Sequence, residues 1–251
     1  MTAALTSASQ GSEALARLLG AATAVTVFTG AGISTECGVP DFRSPDSPWR
    51  LNAPIGFKDY LADPALRAEA WRRKFVMDDL YAGARPGRGH RAIARWAASG
   101  LVHSVVTQNI DGLHGAAARP GDRIVELHGN GTFARCLSCG RRHELAPIRA
   151  RFETDGALPK CTCGGIVKSA SVAFGQSLDE RDLARAAEAS LACDLFIVLG
   201  SSLMVRPAAR FPDLARRNGA RLVVVNREPT SVDAVADLVV LADIGDVLDR
   251  L

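Results

Sequence analysis

Residues 30–44 constrain the fold of this chain most strongly, because a glycine-rich turn there follows an apolar run at residues 24–29. Such a run is typical of a buried strand. Gly30 and Gly32 can adopt positive φ and let a backbone approach a ligand closely. The turn also offers unpaired N–H groups and the positive end of a helix dipole, which together favour a bound pyrophosphate. A Gly-x-Gly pair is equally compatible with an ordinary strand-to-helix turn, and the third glycine of the dehydrogenase fingerprint is missing.

Apolar runs alternate with helix-like patterns along the chain, which favours a parallel sheet wrapped by helices. We predict strands buried on both faces at residues 24–29, 102–107, 195–199, 221–225 and 238–241. We predict helices at residues 13–20, 86–98, 180–192 and 207–217. The predicted fold class is α/β, a doubly wound, Rossmann-like parallel sheet, and such sheets bind nucleotides at the carboxyl ends of their strands.

Two segments interrupt this alternation. Residues 41–85 contain Pro45, Pro48, Pro54 and Pro64 among aromatic residues, which predicts a mobile loop followed by a small helical module. Residues 132–167 contain two close pairs of cysteines. We therefore predict three parts, which are a discontinuous Rossmann-like domain (1–44, 86–131 and 168–251), a loop with a helical module (45–85) and a cysteine-containing module (132–167).

The four paired cysteines, Cys136, Cys139, Cys161 and Cys163, are spaced to bind one tetrahedral Zn²⁺. A chain of this size without a secretory signal is not expected to be a disulfide scaffold. Four sulfur ligands leave no open coordination position, so this zinc would be structural. The second pair is Cys-x-Cys where Cys-x-x-Cys is usual, and Gly164 makes the tighter turn possible. The alternative is four unmetallated thiols, which are liable to oxidation when exposed.

The charge of the chain argues against a nucleic-acid partner. Its formal net charge is +3, and no run of basic residues is long enough to form a nucleic-acid-binding arm. The N-terminal residues lack the pattern of a signal or transit peptide. No apolar run approaches the roughly 18 residues that span a bilayer. We therefore expect no membrane association and a cytoplasmic location.

Several long motifs occur in a characteristic order. They are Gly-Ala-Gly-Ile-Ser at residues 30–34, Val-Pro-Asp-Phe-Arg-Ser at 39–44, Thr-Gln-Asn-Ile-Asp-Gly-Leu-His at 107–114 and Leu-His-Gly at 127–129. Together they resemble the sirtuins, the NAD-dependent protein lysine deacylases, and the likeness continues through residues 200–207 and 225–228. The resemblance implies NAD as cosubstrate, one structural zinc, and acylated-lysine proteins or peptides as partners. It also implies a smaller discontinuous domain, made of a zinc ribbon and a helical module, beside the Rossmann-like domain.

The resemblance also assigns roles in catalysis and in NAD binding. His128 would be the general base, and Asn109 would contact the ribose and help to order a water. A lone histidine is more often structural, but the place of His128 in Leu-His-Gly favours catalysis. Ile110 and Asp111 would hold the nicotinamide carboxamide, in a pocket that Asp41 helps to shape. The other residues expected to bind NAD are Gly30, Ala31, Gly32, Thr35, Phe42, Arg43, Gln108, Gly200, Ser201, Ser202, Asn226, Arg227, Glu228 and Ile244.

Two further segments resemble the family's peptide-binding strands, between which an extended substrate peptide would add as a strand. Their substrate-binding residues are Val172, Phe174, Gly175, Met204 and Val205. The first segment departs from the family pattern at two positions. Ser169 replaces a proline, and Gln176 replaces a glutamate, which weakens any preference for basic residues beside the acyl-lysine.

The choice of acyl group depends on the helical module. Sirtuins that remove succinyl or malonyl groups carry a Tyr-x-x-Arg pair there. The nearest match in this chain is Trp-Arg-Arg-Lys at residues 71–74. This argues against efficient desuccinylation and leaves acetyl or longer apolar acyl groups open. We expect NAD-dependent removal of such groups from protein lysines, which gives nicotinamide and O-acyl-ADP-ribose.

The main alternative is an NAD-dependent protein ADP-ribosyltransferase or an NAD hydrolase, which needs the same cofactor pocket but a different acceptor. His128 favours deacylation, because another acceptor would not need that base in that place. A non-catalytic NAD- or zinc-binding module is disfavoured by the presence of Asn109, Asp111 and His128 together. A dehydrogenase is disfavoured because the acidic ribose ligand expected about 20 residues beyond the glycine turn is missing.

Overall fold

The computed structural model describes residues 4–42 and 44–251, so Arg43, which the resemblance assigns to NAD binding, lies outside the described residues. The strands are β1 Val25–Thr29, β2 Val102–Thr107, β3 Ile124–Glu126, β4 Gly129–Cys136, β5 Arg142–Glu144, β6 Val167–Ser171, β7 Leu195–Leu199, β8 Arg221–Asn226 and β9 Leu238–Leu241. The helices are α1 Ala8–Ala21, α2 Phe57–Ala62, α3 Pro64–Leu80, α4 Arg88–Ala98, α5 Leu113–Ala117, α6 Leu145–Asp155, α7 Glu180–Ala192, α8 Phe211–Arg217 and α9 Ile244–Leu248.

The main sheet has the strand order β3-β2-β1-β7-β8-β9, and every neighbouring pair is parallel. The central strands β1 and β7 are buried along their whole length, as expected for apolar strands covered by helices on both faces. The chain moves outward from β1 to β3 and then returns to β7, so the order reverses between β1 and β7. Ligands bind doubly wound sheets at such a reversal. This topology confirms the predicted fold class.

All five predicted strands belong to this sheet. β2, β7 and β9 have the predicted bounds, whereas β1 begins one residue later and β8 ends one residue later than predicted. The sequence does not predict β3, because it has only three residues and two of them are partly exposed. β3 pairs with β2 and ends two residues before His128, so it determines where this histidine leaves the sheet.

The predicted helices are also present, with some shifted bounds. α7 has the predicted bounds, and α4 begins at Arg88, two residues later than predicted. α1 begins earlier than predicted, at Ala8, because the side chain of Ser7 accepts a hydrogen bond from the backbone of Gln10 and caps the helix. The pattern at residues 207–217 divides into a 3-10 turn, Ala208–Arg210, and α8. Among the described residues, no helix is long and apolar enough to cross a membrane.

Apolar clusters cover both faces of the main sheet. On one face, Leu15 of α1 and Trp96 of α4 pack against the central strands. On the other face, the rings of Phe28 and Phe196 lie 6.1 Å apart and pack with Ala186 of α7. Both clusters draw on β1 and β7, because successive side chains of a strand point to opposite faces. The buried strands therefore hold the loops at their carboxyl ends on a rigid base.

A smaller unit combines the antiparallel sheet β5-β4-β6 with α2, α3 and α6. Its core contains Trp71 and Phe75 of α3, packed with two of the paired cysteines. The helices α2 and α3 confirm the predicted helical module. α6 is not among the predicted helices, although Leu145, Ile148 and Phe152 have helical spacing and pack against this core. The boundaries between the three proposed parts stay a prediction.

Candidate active site

The glycine-rich turn lies at the point where β1 and β7 end side by side. The N–H of Gly30 donates to the carbonyl of Leu199 at 3.0 Å, and the N–H of Gly32 donates to that of Gly200 at 2.9 Å. A Cβ on Gly30 would lie 2.7 Å from the Gly200 oxygen, and a Cβ on Gly32 would lie 2.7 Å from the Gly200 Cα. Gly30 has an extended φ of −125°. Close backbone approach, rather than positive φ, therefore requires glycine here.

The residues after this turn do not form the α-helix that the pyrophosphate interpretation assumes. β1 is followed instead by two 3-10 turns, Ala31–Ile33 and Thr35–Cys37. The hydroxyl of Thr35 donates to the carbonyl of Gly32 at 3.1 Å and ties the two turns together. Three aligned peptide units give only a small dipole, so the helix-dipole part of that interpretation is wrong.

Asn109 is buried directly after β2, and hydrogen bonds fix the orientation of its side chain. Its Nδ2 donates to the carbonyl of Gly30 and to the hydroxyl of Ser34, each at 3.1 Å. Its backbone N–H donates to Oγ1 of Thr107 at 3.0 Å. Because both amide hydrogens are used within the protein, Oδ1 is the side-chain atom available to a ligand.

Ser34 connects Asn109 to Asp111. The Ser34 hydroxyl donates to Oδ2 of Asp111 at 2.7 Å, and Oδ1 of the same carboxylate accepts from the backbone of Leu113 at 2.9 Å. Nε2 of His90 lies 3.5 Å from the Ser34 hydroxyl, and burial lowers the pKa of His90. Neither Ser34 nor His90 is among the site residues predicted from the sequence. The position of Ser34 within the Gly-Ala-Gly-Ile-Ser motif is the signal that could have identified it.

His128 is half-buried just beyond β3. Its Nδ1 lies 2.9 Å from the carbonyl of Gln108, and since a carbonyl only accepts, Nδ1 carries the proton in this contact. Nε2 then keeps its lone pair in the neutral ring. Burial lowers the pKa of His128, and the hydrogen bond to Gln108 opposes part of that effect. The lowered pKa favours the neutral ring, which is the form that a general base requires.

The backbone of His128 also contacts the predicted substrate segment. Its carbonyl accepts a hydrogen bond from the N–H of Val172 at 2.7 Å. The next residue, Gly129, has φ of +69°, and a Cβ there would lie 2.2 Å from the oxygen of Ala170. Gly129 of β4 and Ala170 of β6 therefore lie side by side at close range in the antiparallel sheet, which requires glycine at this position.

The residues predicted to bind substrate are mostly exposed. Phe174, Met204 and Val205 expose 62 %, 67 % and 42 % of their surface. Gly175 has φ of +80°, and the carbonyl of Phe174 accepts from the N–H of Phe57 at 2.9 Å, at the start of α2. Where large exposed apolar side chains form a contiguous patch, they often mark a binding surface.

The remaining residues predicted to bind NAD lie around the carboxyl ends of the parallel strands. Gln108 and Ser201 join the ends of β2 and β7, since Nε2 of Gln108 donates to the serine hydroxyl at 2.7 Å. Asn226 ends β8, and its Nδ2 donates to the carbonyl of Glu228 at 2.7 Å. The others follow the ends of β1, β7, β8 and β9, and they are Ala31, Gly200, Ser202, Arg227 and Ile244. The sheet thus brings these predicted residues to one edge.

Asp41 and Phe42 begin the proline-containing loop. The carboxylate of Asp41 accepts from the backbone N–H of Ser44 at 2.7 Å and from its hydroxyl at 2.6 Å. The ring of Phe42 stacks on Trp49 with centroids 4.5 Å apart. Nearby, a cavity of about 210 Å³ is lined in part by Ile110 and Asp111, together with residues at the end of the helical module. The residues predicted to hold the nicotinamide carboxamide therefore border open space.

The four paired cysteines form one cluster. Their Sγ atoms all lie within 4.8 Å of one another, and the Cys136–Cys163 and Cys139–Cys161 pairs are 3.5 and 3.6 Å apart. Zinc–sulfur bonds of about 2.3 Å in a tetrahedron place the sulfurs about 3.8 Å apart, so the cluster fits Zn²⁺. Gly164, with φ of +83°, makes the tight turn that the one-residue spacer requires.

Comparisons with known proteins agree with this geometry. Residues 30–207 match the model of the Sir2 family. "NAD-dependent protein deacetylase 1" of Bradyrhizobium diazoefficiens is 52 % identical over 95 % of this chain and 94 % of that protein. "NAD-dependent protein deacetylase" of Rhodopseudomonas palustris is 51 % identical over 96 % of each chain. A solved structure described as Sir2 with a p53 peptide and NAD⁺ superposes with a TM-score of 0.83, at 32 % identity over 95 % of each chain.

The family match spans more than half of the chain, and the two bacterial relatives match almost end to end. The structure itself contains the parallel sheet and the cluster of four cysteines. The chain therefore belongs to the Sir2 family, the sirtuins.

Proposed function

We propose that this protein is an NAD-dependent protein lysine deacylase, which transfers the acyl group to ADP-ribose and releases nicotinamide. Relatives that are 52 % and 51 % identical bear the name NAD-dependent protein deacetylase, and one that is 39 % identical is named NAD-dependent protein deacylase 2. Related structures, at 30 to 32 % identity, are described as Sir2 bound to acetylated peptide and as Sir2 with a peptide and NAD⁺.

The observation that carries this proposal is the double attachment of His128. Its ring donates to the backbone of Gln108, which directly precedes Asn109 in the NAD-binding motif. Its carbonyl holds Val172, in the segment proposed to bind the acylated peptide. One residue is thus attached both to the motif proposed to bind NAD and to the segment proposed to bind the acylated peptide. A general base for a reaction between NAD and an acyl-lysine needs this placement.

NAD supplies a glycosidic bond to a cationic nicotinamide, a leaving group that is already activated. The task of the protein is therefore to position the reactants and to shield the site. The amide hydrogens of Asn109 are bonded to Gly30 and Ser34, which leaves its Oδ1 available. We propose that this oxygen accepts a hydrogen bond from the ribose or from a water beside it. We assign Ile110 and Asp111 to the nicotinamide carboxamide. Nε2 of His128 accepts the proton from a ribose hydroxyl.

The structure favours apolar over acidic acyl groups. Trp71 and Lys74 are the nearest match to the Tyr-x-x-Arg pair of desuccinylases. Trp71 is buried in the core of the small unit, and Lys74 is ion-paired with Asp78 on the next turn of α3. Neither side chain is free to bind a carboxylate on the acyl group. We therefore propose acetyl or longer apolar acyl-lysines as substrates.

The zinc is proposed to be structural. All four positions of the cluster are sulfur, so a bound Zn²⁺ has no open position at which to activate water. The cluster lies in the core of the small unit, with Cys136 and Cys161 buried beside α3. We also propose a cytoplasmic location, since cysteines stay reduced, and so able to bind zinc, in a reducing compartment.

Mass spectrometry of a reaction with NAD and a panel of acetyl-, butyryl-, succinyl- and long-chain acyl-lysine peptides tests the proposal. We expect free lysine peptide and matching O-acyl-ADP-ribose, with little product from the succinyl peptide. The variant His128→Ala should give none. His103→Ala is the matched control, since His103 is an exposed histidine of β2. Nicotinamide release with every acyl-lysine intact would instead indicate an ADP-ribosyltransferase or NAD hydrolase. NAD binding without nicotinamide release would indicate a non-catalytic module.

A further inference from the structure

Lys168 is a buried lysine of the small antiparallel sheet. Its side chain lies in β6 with 6 % of its surface exposed. Within residues 4–42 and 44–251, no acidic group lies within ion-pair distance of its ammonium. Burying an unpaired ammonium is unfavourable, and here burial alone lowers the pKa of Lys168 to about 8. An apolar residue would fill the same space without this penalty, so the ammonium needs an explanation.

The partners of the ammonium are two carbonyls of its own strand. Nζ of Lys168 donates to the carbonyl of Ser169 at 2.8 Å and also to the carbonyl of Ser171. In an antiparallel sheet, alternate residues direct their backbone groups toward the neighbouring strand. Ile166 bonds Leu137, and Val172 bonds His128, so the carbonyls of residues 167, 169 and 171 point toward the opposite edge.

Side chains, rather than another strand, satisfy this outer edge. The hydroxyl of Tyr60 donates to the carbonyl of Val167 at 2.8 Å, and Lys168 satisfies the next two outward carbonyls. A lysine at the edge of a sheet also prevents further strand pairing there. The outward carbonyls of β6 up to Ser171 therefore already have hydrogen-bond partners. Beyond Ser171 the chain continues into Val172 and the exposed Phe174, which we propose bind the substrate peptide.

We propose that Lys168 is a positioning residue of the substrate-binding segment, because its ammonium fixes residues 169–171 so that Val172 stays bonded to His128. This inference rests on the proposed deacylase function. It assigns Lys168 no contact with substrate. Its effect reaches the peptide through Val172 and Phe174. The turn at Gly30, which we propose binds NAD, follows β1 of the main sheet, whereas Lys168 lies in the small antiparallel sheet.

The test is steady-state kinetics of Lys168→Met, with acetyl-lysine peptide and NAD varied separately. Methionine keeps most of the apolar volume but cannot donate. We expect KM for the peptide to rise about tenfold or more, as for the loss of charged hydrogen bonds, with KM for NAD within about twofold of wild type. Lys58→Met is the matched control, because Lys58 is exposed on α2, which also contacts this segment. It should behave as wild type.

Lys168→Arg separates positioning from packing. A guanidinium has donors enough for both carbonyls, so we expect the peptide KM to stay within about threefold of wild type. If Lys168→Met does not fold, this variant decides, and a tenfold rise in its peptide KM would overturn the proposal. A Lys168→Met enzyme that folds and keeps the wild-type peptide KM would also overturn it. Absence of deacylation in the wild type would instead contradict the proposed function.

Discussion

The hydroxyl of Ser34 lies 3.1 Å from the side-chain nitrogen of Asn109 and accepts a hydrogen bond from it. The same hydroxyl donates to Asp111, so one buried serine orients two residues that we propose bind NAD. Ser34 itself is fully buried. Ser34 therefore joins the turn after β1 to the turn after β2, although the two segments lie far apart in the sequence.

Ser34→Ala should therefore slow catalysis more than it reduces stability. The substitution leaves Nδ2 of Asn109 and Oδ2 of Asp111 short of a partner, so both side chains can reorient. We expect kcat for nicotinamide release to fall about tenfold or more, since a buried group left unpaired costs about 1–3 kcal/mol. Ser190→Ala is the matched control, because Ser190 is also a fully buried serine but lies in α7. Equal rates in the two variants would contradict this role of Ser34.

The pH dependence of the reaction should reflect the lowered pKa of His128. Only the neutral ring can accept a proton, and a lowered pKa keeps the ring neutral to lower pH. We expect the acidic limb of kcat/KM for an acyl-lysine peptide to have its midpoint below about 6.5, the ordinary pKa of histidine. The measurement is kcat/KM from about pH 5 to pH 8. An acidic limb centred above neutral pH would show that another group, or a charged His128, controls the rate.

His114 should make the protein less stable in acid. It is buried, its Nε2 lies 2.9 Å from Oγ1 of Thr29, and burial lowers its pKa to about 3. The unfolded chain takes up a proton near the ordinary histidine pKa of about 6.5, whereas the folded protein does not until about pH 3. Between these values the unfolded state binds more protons. The free energy of unfolding therefore falls as the pH falls, by up to about 1.4 kcal/mol per pH unit from this group.

Urea denaturation at about pH 6 and about pH 4 tests this linkage. His114→Gln removes the titrating ring and keeps an N–H donor near the position of Nε2. We expect its free energy of unfolding to depend less steeply on pH than that of the wild type. His103→Gln is the control, since His103 is exposed on β2, and its slope should match the wild type. Identical slopes in all three proteins would contradict the assignment to His114.

The zinc assignment predicts one Zn²⁺ per chain and a loss of stability when a ligand is removed. Cys161→Ser should purify without zinc and melt about 10 °C or more below wild type, because the metal crosslinks the core of the small unit. Cys193→Ala is the control, since Cys193 is buried against the main sheet, outside the cluster. It should retain the metal. Elemental analysis and thermal melts measure both effects, and full zinc content in Cys161→Ser would refute the assignment.

The parts of the fold that the sequence predicts well are those with strong local signals. The strands β7 and β9 consist of Val, Ile, Leu and Phe, and β2 contains three Val residues; all three lie in the parallel sheet and have the predicted bounds. β3 is not predicted because three residues are too few to show the apolar pattern of a strand. The early start of α1 depends on one capping serine, Ser7, which lies before any apolar periodicity begins. α6 is not predicted because its apolar face lies within a polar stretch and packs on the small core.

The candidate site divides in the same way. Motifs place Asn109, Asp111 and His128 directly after strands, and the sheet then brings them to one edge. The hydrogen bonds that orient these residues come from distant segments, as the bonds of Ser34 to Asn109 and Asp111 show. Burial of a charged group is also invisible in the sequence, so Lys168 could not be distinguished from an exposed lysine. Contacts formed only by tertiary packing are what local patterns cannot predict.

Gly32→Ala should destabilise the fold and abolish NAD binding together. A Cβ at this position would lie 2.7 Å from the Cα and 3.0 Å from the oxygen of Gly200, and both atoms belong to backbone that cannot move aside. The ends of β1 and β7 must then separate, and with them the turns proposed to hold NAD. We expect the free energy of unfolding to fall by about 2 kcal/mol or more, as for overpacked cores.

Gly20→Ala is the matched control. Gly20 is an exposed residue of α1 with nothing within 4 Å of an added Cβ, so alanine there should raise stability by about 0.5–1 kcal/mol. Urea denaturation measures the stability of both variants, and NAD titration measures their affinity for NAD. A Gly32→Ala protein as stable as wild type would show that the backbones of β1 and β7 do not pack as closely as the structure indicates.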